Sequence, residues 1–252
     1  MSENRARIES EGIFLPINPN EVLSICMDKS KTVNFLKENN FSYPKSVTVK
    51  EAEDIEKIDF LPAVLKPSIG AGGSANILLA QTQGELEMFG NYLLTIYKEF
   101  IVQEYVGSPE SEFTVGVLIS MDGELINSIA VRRSILSALS NRIKVTNQTG
   151  NDNFGNILAI SNGVSQGEIG KFPEVTKQCE DIAMKMGCRG SVNVQCRLVD
   201  GKVFVFEINP RFSGTTSLRA MVGYNEPDTL IRKHLFKEDI EPHFDYKSGF
   251  IM

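Results

Sequence analysis

No stretch of this chain approaches the roughly 18–20 consecutive apolar residues of a membrane-spanning helix. Its opening, MSENRARIESEG, lacks the apolar core of a signal peptide. Basic runs are absent and the net charge is −6, which argues against nucleic acid as the main partner. Histidine is limited to His234 and His243, too few for a histidine-rich metal centre. The four cysteines (Cys26, Cys179, Cys188 and Cys196) contain no C-x-x-C pair. They sit in apolar or helical surroundings, so free buried thiols in a reducing cytoplasm are expected, rather than disulfides or a metal site. Tryptophan is missing, which excludes nothing. No Ser-His-Asp or Cys-His arrangement, internal repeat or low-complexity segment is recognisable. What is present is 252 residues with 42% hydrophobic content, enough for a sizeable core in one or two domains.

The most informative segment is VFVFEINPR, residues 203–211. A hydrophobic strand runs into a carboxylate, an amide and a guanidinium. Period 2 puts Glu207 and Asn209 on one side of that strand. A carboxylate and an amide carbonyl are hard oxygen ligands, suited to Mg²⁺. Arg211, just beyond Pro210, has the geometry to grip phosphate oxygens bidentately. A metal clamp beside a phosphate clamp is the equipment of phosphoryl transfer.

Along the chain, a helix is predicted after the polar first ~20 residues, with Asp28 or Ser30 at its N-cap and Val33, Phe35 and Leu36 on its apolar face. Short strands are predicted at 63–66 and 77–80 around the glycine-rich PSIGAGGSAN, then a helix over 83–97 and a strand over 100–106. Two hairpins follow, at 113–133 and 191–208, each with Asp-Gly in its turn. Between them, 134–170 reads as mostly loop and Pro173 opens a helix to about Met186. Helices are predicted around 215–222 and 226–236. The boundaries drawn are a remnant of a preceding domain (1–27), a small α+β subdomain (28–103), a larger, mostly antiparallel one (104–240) and a tail (241–252).

GAGGSA (70–75) matches G-x-G-x-x-A by letter, but a strand rather than a helix follows, so the dinucleotide fingerprint fails on context. A P-loop fails as well, because no Gly-Lys-Ser/Thr follows. What remains is a strand–loop–strand flap over 68–75, expected to be mobile, whose backbone amides cover phosphates. Gly72, Gly73 and Ser74 are its candidate contacts, and Lys66 reaches the same phosphates. Gln195 shares a face with Asn193 on the strand paired with that of Glu207, and offers a third oxygen to the metal. Backbone at 104–106 is placed to read an adenine edge, and Glu112 to accept from ribose hydroxyls.

Together these segments resemble the ATP-grasp superfamily, which includes D-alanine–D-alanine ligases and the carbamoyl phosphate synthetase large chain. The resemblance covers roughly Ile25 to Leu235, and NVQCRLVDGKVFVFEINPRFSGTTS (193–217) is its most specific stretch. It implies an α+β ATP-grasp fold with nucleotide bound between two subdomains. Gln195, Glu207 and Asn209 match the metal ligands, for Mg²⁺ or Mn²⁺, and Arg211 the arginine on the transferred phosphoryl group. Lys66 in VLKPS and Lys29 in MDKSK match phosphate lysines. Gln103, Glu104, Tyr105 and Val106 match the adenine-binding stretch, though many members carry Glu where this chain has Gln103. Glu112 matches the ribose glutamate. One further phosphate-facing base is expected among Arg132, Arg133, Arg142 and Lys144. The implied activity is an ATP- and Mg-dependent ligase that activates a carboxylate as an acyl phosphate for an amine or ammonia. The alternatives are a carbamoyl phosphate synthetase-like subunit or fragment, or an ATP-binding module without turnover. Small-molecule carboxylate and amine partners in the cytoplasm are implied, and self-association as a homodimer is left open. Members usually carry a domain ahead of the helix near Lys29, so a trimmed chain is expected.

Overall fold

In the computed structural model, which describes residues 1–68, 76–138, 141–162 and 166–251, three helices open the chain. They are α1 (Arg5–Ser10), α2 (Asn20–Met27) and α3 (Lys29–Glu38). Asp28 starts α3, its carboxylate accepting from the Ser30 and Lys31 backbone N–H groups. Next come β1 (Ser46–Val49), the single turn α4 (Ala52–Ile55), β2 (Ala63–Pro67), β3 (Leu78–Ala80), α5 (Gln83–Leu94) and β4 (Phe100–Glu104). Thr82 and Glu85 close a capping box at the start of α5. The hairpin β5 (Glu112–Ile119) and β6 (Leu125–Arg133) leads to β7 (Ile143–Thr146), β8 (Ile157–Ile160) and β9 (Gly167–Gly170). Helix α6 (Pro173–Met186) has proline in its first turn and Gly187 at its end, in the left-handed conformation that glycine favours. The hairpin β10 (Gly190–Val199) and β11 (Lys202–Asn209) turns through Asp200 and Gly201, both at positive φ. Helices α7 (Thr216–Met221) and α8 (Glu226–His234) and strand β12 (Gly249–Ile251) complete the chain.

The strands form a four-stranded sheet, β1-β4-β2-β3, a six-stranded sheet, β11-β10-β5-β6-β9-β12, and the β7–β8 pair. Every pairing is antiparallel. With its helices laid against antiparallel sheets, the fold is α+β. On one face of the large sheet, Phe113, Val115, Val117, Val192, Val194, Cys196, Val203 and Val205 pack against Val175, Cys179, Ile182 and Ala183 of α6. A second core, with Leu65, Leu86, Leu93, Phe100 and Val102, holds α5 against the small sheet. A third gathers Leu118, Ile129, Val131 and Leu230 around Tyr224.

The structure differs from the sequence reading in several places, and α2, β1 and α4 are among the elements it adds. Residues 134–170, expected to be mostly loop, contain β7, β8 and β9. The boundaries at 27/28 and 240/241 also cut through packed structure. Val22 and Leu36, from α2 and α3, are buried in the large-sheet core, while Lys29 and Ser30 at the start of α3 bond Ser68 and Thr48 of the smaller unit. Ile240, Phe244 and Tyr246 pack around Tyr224, and β12 extends the large sheet beside β9. Both ends are held by apolar side chains that the boundaries leave without partners. The cysteines are free, with Cys179, Cys188 and Cys196 buried and Cys26 half-buried.

Candidate functional site

The outer strand of the large sheet shows how the site is built. Val203, Val205 and Ile208 of β11 lie in the core, whereas Phe206 and Glu207 both line a cleft on the opposite side. Strict alternation would send Glu207 inward with Val203 and Val205. A bulge prevents this: Gln195 pairs with Glu207 and Cys196 with Val205, so Phe206 is the extra residue. The neighbouring β10 keeps its alternation. Val192, Val194 and Cys196 point into the core, and Gln195 and Arg197 line the cleft.

The cleft lies between the two sheets. It is lined by Lys29, Lys66, Gln103, Glu104, Tyr105, Val106, Glu112, Gln195 and Glu207, which are nine of the residues singled out from the sequence. Asn209 is half-buried just beyond it, with Asn193 as its cross-strand partner. Arg211 is exposed and its Nη1 donates to the Phe212 carbonyl at 2.8 Å, so its side chain is not brought into the cleft. Gly72, Gly73 and Ser74, with the rest of the proposed flap beyond Ser68, lie outside the described residues.

At one end two lysines meet one carboxylate. Lys66 is buried, its Nζ donating to Gln103 Oε1 at 2.7 Å and to the Phe206 carbonyl at 3.2 Å. Burial lowers its pKa to about 8; Glu207 opposes that shift and Lys29 adds to it. Burial also lowers the pKa of Lys29, against the pull of Glu207 and Asp28. Lys29 follows the cap residue Asp28 directly, and its backbone N–H is tied to the Ser68 carbonyl at 3.2 Å. Among the described residues, the side chains of Gln195, Glu207 and Asn209 accept no hydrogen bond. Nor do the described residues contain any group of three or more His, Cys, Asp or Glu side chains able to hold a metal. A cation held by the residues singled out from the sequence would meet one carboxylate and two amides. That suits Mg²⁺, which commonly takes one or two carboxylates and completes its shell with phosphate oxygens and water.

At the other end Glu112 is buried and fully engaged. Its Oε1 accepts from Arg133 Nη1 and from Ser161 Oγ, both at 2.9 Å. Its Oε2 accepts from Arg197 Nε at 3.2 Å and Nη2 at 3.1 Å. Arg197 also donates to the carbonyls of Val106, Gly107 and Ala159, and lies 4.2 Å from the centre of the Tyr105 ring. Gln103, Glu104 and Tyr105 turn their side chains to neighbouring structure. Gln103 meets Lys66 and Ser46, Glu104 accepts from the Lys45 N–H, and Tyr105 bonds Ala159.

Of the four bases left undecided, Arg133 reaches the cleft by way of Glu112. Arg132 pairs with Glu168, Lys144 donates to the Leu136 carbonyl, and Arg142 is exposed. Arg197 was missed by the sequence reading, although its spacing two residues beyond Gln195 places it on the cleft side. The buried Arg219–Glu226 pair was missed as well. Arg219 Nη2 donates to Asn193 Oδ1 at 2.7 Å, and Thr114 Oγ1 donates to the same oxygen at 2.9 Å. These two bonds occupy both lone pairs of the Asn193 side-chain oxygen.

A family model described as "ATP-grasp domain" matches residues 26–215. The carbamoyl phosphate synthase large chain of Thermoanaerobacter sp. (strain X514) is 27% identical over 204 residues, covering 79% of this chain and 17% of that protein. The chain thus spans about a sixth of the length of that relative. Among solved structures, D-alanine–D-alanine ligase from Bacillus anthracis complexed with ATP aligns with a TM-score of 0.60 and 16% identity, over 94% of this chain and 74% of that one. N5-carboxyaminoimidazole ribonucleotide synthetase from Thermotoga maritima aligns with a TM-score of 0.63 and 17% identity, over 98% and 58%. At these identities the structural likeness speaks for the fold.

Proposed function

This chain belongs to the ATP-grasp domain family, and from that membership we propose that it binds ATP in the cleft between its two sheets and uses it to activate a carboxylate for attack by an amine or ammonia. The observation that carries this reading is the meeting of Lys29, Lys66, Glu207 and Gln195, from three distant parts of the chain, around one cleft. One buried and one half-buried cation, Lys66 and Lys29, facing one carboxylate leave excess positive charge, as a polyphosphate requires. Backbone at Glu104 to Val106 would face the base. Glu207, Gln195 and Asn209 would hold Mg²⁺, whose contribution would be to neutralise charge between the β- and γ-phosphates. Arg211 would swing inward from its exposed position to the transferred group.

In this reading a substrate carboxylate oxygen attacks the γ-phosphorus and ADP leaves, giving an acyl phosphate. The amine nitrogen then attacks the acyl carbon, phosphate leaves, and the nitrogen loses a proton to solvent. Lys29 and Lys66 offset charge on the phosphates throughout, and no side chain serves as nucleophile. The cysteines agree with this, since burial pushes the Cys188 thiol up to about 12. Phosphate release from ATP, measured with a panel of carboxylates and amines, tests the proposal. Release that requires both a carboxylate and an amine is expected. ATP binding without release in any combination would instead favour a nucleotide-binding module.

A second reading, a carbamoyl phosphate synthetase-like subunit or fragment, is favoured by the Thermoanaerobacter relative. It would show as phosphate release with bicarbonate and ammonia in preference to organic carboxylates.

A further inference from the structure

Lys66 is 6% exposed, so its ammonium must find acceptors inside the protein. The shorter of its two contacts, to Gln103 Oε1, depends on which way round an amide sits. One side of that amide is a carbonyl and the other an NH₂. Turned over, Gln103 would present a donor to an ammonium, which has only donors to offer. Gln103 is itself 4% exposed, so bulk water does not fill in for a lost partner.

Ser46 fixes the amide. In the β1–β4 pairing Ser46 stands directly opposite Gln103, and Gln103 Nε2 donates to Ser46 Oγ at 3.0 Å. A hydroxyl has one proton and two lone pairs. Ser46 commits its proton to the Pro44 carbonyl at 2.8 Å. A carbonyl cannot donate, so that end of the chain has one sense only. Only lone pairs remain to face Gln103, which must turn its NH₂ to Ser46 and its oxygen to Lys66. We infer that Ser46 is a positioning residue for phosphate binding: through the Gln103 amide it keeps an acceptor on the Lys66 ammonium and holds that charge at the cleft. This rests on the reading above that Lys66 faces the phosphates of ATP.

Ser46→Thr and Ser46→Val form a matched pair of almost equal shape, both suited to a strand, and only the first keeps the hydroxyl. Each variant and the wild-type chain would be titrated with ATP and with adenosine, in Mg²⁺, against a bound fluorescent ATP analogue. The expected result is that S46V binds ATP at least about fivefold more weakly, roughly 1 kcal/mol. Its adenosine affinity should stay within about twofold, and S46T should match wild type for both ligands. S46V binding ATP as wild type does would overturn the inference. So would an equal loss of ATP and adenosine, since that marks a general distortion of the cleft. If circular dichroism shows S46V unfolded, Ser46→Ala carries the same prediction. Wild-type protein that binds neither ligand would instead overturn the nucleotide-binding reading itself, an outcome visible without any variant.

Discussion

Lys66 shows how a single residue couples stability to binding. The desolvation that lowers its pKa to about 8 acts only in the folded state. In the unfolded chain the amine holds its proton to about pH 10.4. Below about pH 8 both states are protonated, and the folded state bears the full cost of the buried charge. Between about 8 and 10.4 the unfolded chain binds more protons, so stability rises with pH over that window. Urea unfolding at pH 7 and pH 9.5 should show this rise in the wild-type chain and a smaller one in Lys66→Met. ATP affinity should move the other way, falling as pH passes about 8, because a neutral amine no longer offsets phosphate charge. Lys66 and Glu207 were legible in the sequence because each ends an apolar strand beside a characteristic neighbour. The surroundings of Glu112 were not: Arg133 and Arg197 lie 21 and 85 residues away along the chain, and no local spacing joins them.

Elements divide the same way. Both Asp-Gly hairpins and α6 announce themselves through turn and cap residues. Strand β7 does not, since Lys144, Val145 and Thr146 are all exposed and show no apolar alternation. What secures that pair is Leu158 of β8, buried against Tyr105. The bulge at Phe206 was equally hidden, because letters alone do not mark where alternation slips. Two glycines test the packing between elements. A Cβ on Gly116 of β5 would sit 2.4 Å from Arg219 Nη1 and 3.2 Å from Glu226 Oε1. Both partners of that ion pair are fully buried. Gly116→Ala should therefore destabilise the fold by about 3 kcal/mol or more in urea unfolding. A Cβ on Gly84 of α5 meets nothing within 4 Å. Gly84→Ala should leave stability unchanged or raise it by about 0.5–1 kcal/mol. If the two variants behave alike, the account of the Arg219–Glu226 packing fails.

At the scale of the whole molecule, the small sheet brings Lys66 and the 103–106 backbone to the cleft. The large sheet brings Glu112, Gln195 and Glu207, and α3 brings Lys29. None of these segments forms the site alone, which ties the proposed function to the packing of the sheets. The central claim is that the cleft holds ATP together with a metal on the β10–β11 face. Calorimetric titration of ATP, with and without Mg²⁺, into wild-type and Glu207→Gln protein tests it most directly. The account predicts that E207Q weakens Mg·ATP binding by at least about tenfold, roughly 1.4 kcal/mol, and shrinks the difference that Mg²⁺ makes. A variant whose Mg²⁺ dependence equals that of the wild-type chain would contradict it.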